Sequence, residues 1–157
     1  MTGVVVKDNG AALMLSRARE LAKGRVVRVG ILADAPKDVR PDEKPSSMTL
    51  AEIAALHEFG APGAHIPQRS FIRATVDLHR EEIQDLQVKL AARVLAGKLT
   101  PDQALGQLGA KVVGFIQRRI ASNIPPKLKD ATIAAKGSSV SLVDTGQLRS
   151  SVTWELA

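Results

Sequence analysis

The feature that most restricts the fold is an apolar stripe of helical period that runs from Ile72 to Ile120 with one interruption. Ile72, Val76, Ile83, Leu86, Leu90 and Val94 recur at intervals of three, four or seven residues, which places them on one side of a helix. The spacing predicts one helix from Arg69 or Ser70 to Ala96, about 40 Å long at the usual rise per residue. Gly97 supplies a stop signal. Thr100-Pro101-Asp102-Gln103 supplies a restart, with threonine at the cap, proline at the first helical position and glutamine placed to close a capping box. Leu105, Leu108, Val112, Phe115 or Ile116, and Ile120 carry the stripe on to about Ser122. Two amphipathic helices joined by so short a connection fold back as an antiparallel hairpin, and their stripes need further elements to cover them.

Those elements flank the hairpin. Gly3–Val6 is a short β-branched run followed by Asp8 and Asn9, either able to cap a helix. Ala11, Leu15, Ala18 and Ala22 then predict an amphipathic helix that ends at Gly24. Arg25 to Ala33 alternates, with Val27, Val29 and Ile31 on one side, and predicts a central strand. Thr49-Leu50-Ala51-Glu52 is a capping box opening a short helix that stops at Phe59-Gly60, after which Ala61 to Gln68 reads as loop. Ser151 to Leu156 alternates as a final strand. The segments 34–48 and 124–141, rich in proline and polar residues, are expected as projecting loops or arms. The predicted fold is a single α+β domain over residues 1–157: a small, mainly antiparallel sheet packed with helices, including the long antiparallel hairpin, with two extended loops.

Composition narrows the chemistry. Apolar residues make up 45% of the chain and charged residues 24%, so it has the means to form a core and is not expected to be disordered. It has no cysteine for disulfide or thiolate chemistry, and nowhere do 18 apolar residues follow one another, so a soluble chain with no membrane partner is expected. The net charge of +6 favours nucleic acid or an acidic protein surface. The densest basic group (Arg17, Arg19, Lys23, Arg25, Arg28) nevertheless straddles a helix end and a strand, and aromatics amount to 3%, too few for base stacking. His57, His65 and His79 lack metal-site spacing. The chain has no Gly-x-Ser-x-Gly elbow and no glycine-rich phosphate loop, while Glu81-Glu82 reads as a solvated face. No enzyme activity, cofactor or metal is expected.

Three segments in order carry a resemblance. The first joins Val29-Gly30-Ile31-Leu32-Ala33 to Leu50-Ala51-Glu52-Ile53-Ala54-Ala55-Leu56-His57-Glu58-Phe59-Gly60; the second is Ile66-Pro67-Gln68-Arg69-Ser70-Phe71-Ile72-Arg73; the third is Leu142-Val143-Asp144-Thr145-Gly146-Gln147-Leu148-Arg149-Ser150-Ser151-Val152. With two long helices between the second and third, the pattern resembles the tailed-phage neck and tail-completion proteins, also described as virion morphogenesis or minor tail components; Ser70 stands where that family commonly has proline. The resemblance implies a structural virion protein at the head-tail junction that forms a homo-oligomeric ring, joins head-completion or connector proteins to a tail terminator or tail tube, and is made in the host cytoplasm. It also implies room for non-specific contact with DNA in the ring lumen. A tail terminator, or a basic nucleic-acid-binding regulator, is the alternative.

The candidate interface or motif residues are His57, Glu58, Phe59, Gly60, Pro67, Arg69, Phe71, Arg73, Asp144, Thr145, Gly146, Leu148 and Arg149. Phe59, Phe71 and Leu148 are read equally as core residues or as contacts. Asp144-Thr145-Gly146 reads as a tight turn with the glycine at positive φ.

Overall fold

The hairpin predicted from the stripe is the scaffold on which the other elements sit. The computed structural model describes residues 9–32, 48–128, 130, 133–134, 142 and 146–157. In chain order the elements are α1 (Asn9–Leu21), β1 (Val27–Ile31), α2 (Leu50–Phe59), a 3-10 turn (Pro62–Ala64), α3 (Arg73–Leu78), α4 (Arg80–Leu95), α5 (Pro101–Ala121), the single turn α6 (Gln147–Ser150) and β2 (Val152–Leu156). The architecture is α+β, as predicted.

Both capping boxes form. Thr49 Oγ1 accepts from Glu52 N at 3.2 Å while Thr49 N donates to Glu52 Oε2 at 2.7 Å. Thr100 and Gln103 repeat the exchange at 3.2 and 2.9 Å. The turn between α4 and α5 closes at Gly97, whose φ of 73° few side chains tolerate. Arg17 of α1 lies over it and donates to Leu95 O at 3.1 Å, pinning α1 to the end of the hairpin.

The predicted helix from Arg69 or Ser70 to Ala96 is instead two. It begins only at Arg73, because residues 70 to 73 are drawn into another arrangement described below, and it breaks at His79, with φ −102° and ψ 16°. Just before the break the Thr75 hydroxyl donates back to Phe71 O at 2.5 Å, a bond that bends helices. At the break itself the His79 ring lies flat on Phe115 of α5, centroids 3.8 Å apart and 4° from parallel. Down the hairpin, Glu82 pairs with Lys111 at 3.0 Å, and Leu90 and Val94 pack on Ala104 and Leu108, so α4 and α5 run antiparallel. Glu81 and Glu82 are both exposed, as expected of a solvated face, and Glu82 also ties the two helices together.

β1 and β2 form a two-stranded antiparallel sheet with Val27 opposite Leu156 and Ile31 opposite Val152. The strand expected at Gly3–Val6 lies outside the described residues, so β1 is an edge strand among those described rather than a central one. Val27, Val29 and Ile31 face the helices as the alternation predicts. The sheet lies against α5, where Gly106 and Gly109 leave room for the indole of Trp154.

One core cluster gathers Ala54, Phe71, Val112, Ile116, Ile120, Ile124, Leu142, Leu148 and Val152; Ile83 links it to the second, around Leu90, Val94, Ala104 and Leu108. The expected buried face of α1 is only partly used. Leu21 reaches the second cluster, but Leu15 and Ala11 stay exposed, because α1 packs on α4 alone among its larger contacts. Of the expected arms, 34–47 lies outside the described residues. The described start of the other is held down, with Ile124 buried and Pro126 O accepting from Arg69 Nη2 at 2.8 Å.

Candidate functional site

The first two motif segments meet at one carboxylate. Glu58 stands in the last turn of α2, where a negative charge opposes the helix dipole and is locally unfavourable. Its partners lie across the following loop. Glu58 Oε1 accepts from Ser70 Oγ at 2.6 Å and Arg73 N at 3.0 Å, and Oε2 accepts from Phe71 N at 2.8 Å and Ile72 N at 2.9 Å. These are the unpaired donors around the start of α3, so Glu58 caps that helix from a distance. The side chain is 7% exposed. Burial alone pushes its carboxyl up, but the combined donation from Ile72, Ser70, Arg73 and Phe71 outweighs that and holds it below the ordinary glutamate range.

The loop that makes this possible depends on Gly60. Its φ is 75°, and a Cβ there would come 2.9 Å from Gln68 N. With glycine in place, Pro67-Gln68-Arg69 runs back along the end of α2: Arg69 N donates to His57 O at 2.7 Å and Gln68 Nε2 to Glu58 O at 3.1 Å. Arg69 is 5% exposed, and burial lowers the pKa of its guanidinium. Pro67 is exposed and shapes the loop.

The aromatic and aliphatic residues of the motifs then separate by role. Phe71 is fully buried and Leu148 joins it in the first core cluster, so the second and third motif segments meet there; each burial contributes about 1.5–3 kcal/mol. Phe59 does the opposite. It is 69% exposed and lines an apolar groove with Ile31, Ala51, Ala55 and Ile72 that Arg73 borders. Arg73 and Arg149 are exposed. Asp144 and Thr145 lie outside the described residues, while Gly146 takes the expected positive φ, 82°. Replacing Gly146 with valine should lower stability by about 1–2 kcal/mol, seen as an earlier urea midpoint; an unchanged midpoint would show that the turn tolerates an ordinary residue.

The histidines do not converge: His57 is half-buried, His65 exposed in the loop, and His79 stacked on Phe115. Among the described residues no three His, Cys, Asp or Glu side chains come together as a metal site. Sequence reasoning found Glu58 as part of a motif but missed what it does. Its misplacement against the helix dipole is the signal that could have pointed to a partner. Compared with protein-family models, curated proteins and solved structures, the chain matches none.

Proposed function

We propose that the chain is a non-enzymatic structural protein of a tailed-phage particle, working at the head-tail junction by assembling with copies of itself and with the head-completion and tail proteins on either side. The observation that carries this reading is the outward position of Phe59. Glu58 and Phe59 are neighbours, yet the first is committed to internal capping while the second is presented to solvent beside an apolar groove. A rigid clasp holding out a large apolar side chain suits a contact surface better than a catalytic one, since exposed apolar patches with polar rims mark sites of association. A tail terminator would use the same surface.

A second reading, contact with nucleic acid, is favoured by a different face. Gln117, Arg118, Arg149 and Ser150 line an open groove whose lining holds no acid among the described residues. Phosphate contact there would weaken steeply with salt.

Light scattering after size exclusion, at low and high salt and with and without a short DNA duplex, tests both. The expected result is a discrete oligomer, or a monomer that joins only phage connector or tail proteins, in either case lost in a Phe59→Ser variant that melts like the parent. Assembly unaffected by that change would remove the main support for the reading, and tight, salt-sensitive DNA binding by a monomer or dimer would favour the second.

A further inference from the structure

The register of the sheet decides which backbone groups it leaves over. Val26 and Ala157 exchange both of their hydrogen bonds, at 3.0 and 2.9 Å, and the pairing continues without a bulge from Val27 opposite Leu156 to Ile31 opposite Val152. In an antiparallel ladder hydrogen-bonded and non-hydrogen-bonded pairs alternate, so Arg28 with Glu155 and Gly30 with Thr153 are the bonded pairs. The N–H and C=O groups of Val27, Val29 and Ile31 therefore point away from β2, and no described residue takes them. Such an edge is a template for another strand.

Ile31 belongs to two features at once. It ends this edge, and it lines the groove with Ala51, Ala55, Phe59 and Ile72, in keeping with α2 packing beside β1. Glu58, the acid in that lining, has both oxygens occupied by internal donors. Arg73 gives only its backbone N–H to the clasp; its side chain is exposed and pairs with no acid among the described residues. The free charge at the groove is therefore cationic, on a chain whose net charge is already +6.

We infer that the β1 edge and the Phe59 groove together receive one extended segment of a partner protein, alternating apolar with acidic residues, by strand addition. Main-chain hydrogen bonds to Val27, Val29 and Ile31 hold the segment, its apolar side chains continue the row on the core side and reach Phe59, and an acidic side chain meets Arg73. This rests on the assembly reading above and narrows it to a neighbour of opposite charge rather than another copy of this basic chain.

Amide hydrogen exchange on the isotopically labelled full chain tests it, using a synthetic peptide that alternates valine with glutamate and a control that alternates valine with lysine. The glutamate peptide is expected to slow exchange at Val27, Val29 and Ile31 at least tenfold and the lysine peptide to leave them unchanged. Phe59→Ser should weaken the glutamate peptide at least tenfold, and Arg73→Glu should reverse the preference between the peptides. Protection elsewhere, or equal binding of the two peptides, overturns the inference. Protection of the same three amides by raising the concentration of the chain alone also overturns it, because a second copy would then hold the edge, while the assembly reading would survive. Loss of that reading shows separately, as assembly that ignores Phe59→Ser.

Discussion

Glu58→Gln is expected to lower the melting temperature by about 5–15 °C, reflecting a loss of about 2–4 kcal/mol in a chain of this size. The carboxylate takes three backbone N–H groups and one hydroxyl within 2.6–3.0 Å. An amide offers one acceptor oxygen in place of two and turns its own N–H groups toward donors, so at least two donors at the start of α3 lose their partner in a buried place. The effect should depend on pH. The folded carboxyl lies below the ordinary value of 4.5, so the folded state binds fewer protons than the unfolded one through that range. Its contribution is fully present above 4.5 and is lost as pH falls through the lower folded value. Melting curves from pH 7 to pH 3 should therefore show the gap between parent and variant closing in acid, by up to about 1.4 kcal/mol per pH unit. A gap that stays constant would mean that Glu58 does not act as an anion.

The second large effect is expected at Gly109→Val. A Cβ at this position would sit 2.8 Å from Trp154 Cγ and 2.8 Å from Val27 Cγ2, so both strands would have to move away from α5. Overpacking of this kind costs about 1–3 kcal/mol, and the helix propensity gained on leaving glycine recovers only a few tenths of that for valine. Alanine recovers about 1 kcal/mol by the same effect and should be milder. Trp154 is the only tryptophan, so its fluorescence reports the change directly: emission should shift to longer wavelength as the indole lifts from the helix. An unshifted spectrum with an unchanged urea midpoint would place the strand farther from α5 than the structure has it.

These two sites show where the sequence was readable and where it was not. Both capping boxes, the stop at Gly60, the turn at Gly97 and the inward face of β1 follow from residue type and spacing, because each is decided within one turn or one strand. The break at His79 does not. Thr75, whose hydroxyl bonds back to Phe71 O, is a local sign that the apolar stripe passes over, and the stacking of the His79 ring on Phe115 joins residues far apart in the chain. Phe59 and Phe71 stand in equally motif-like surroundings, yet one is exposed and the other enclosed. The difference is one of position: α2 buries the face of Leu50, Ala54 and Glu58, which leaves Phe59 off it, while Phe71 lies beyond the loop at Gly60 and enters the core. Gly106 and Gly109 were legible in principle: glycine inside a helix costs stability relative to alanine, and its presence twice on one face suggests that something large approaches. Which residue approaches depends on β2, far along the chain.

That distance sets the order in which the fold can come together. The capped helices, the hairpin and the Glu58 loop all close over short stretches of chain, and such contacts form quickly. The sheet instead joins Ile31 to Val152 and Val27 to Leu156, across a loop of well over a hundred residues whose ends must find each other. Strand pairing is thus the late step. Until β2 arrives, β1 has no strand partner among the described residues, and the face of α5 that carries Gly106 and Gly109 has no indole to cover it. A chain emerging from the ribosome would pass through that half-built state with its helices formed and its sheet absent, and it is in that interval that aggregation would threaten it most.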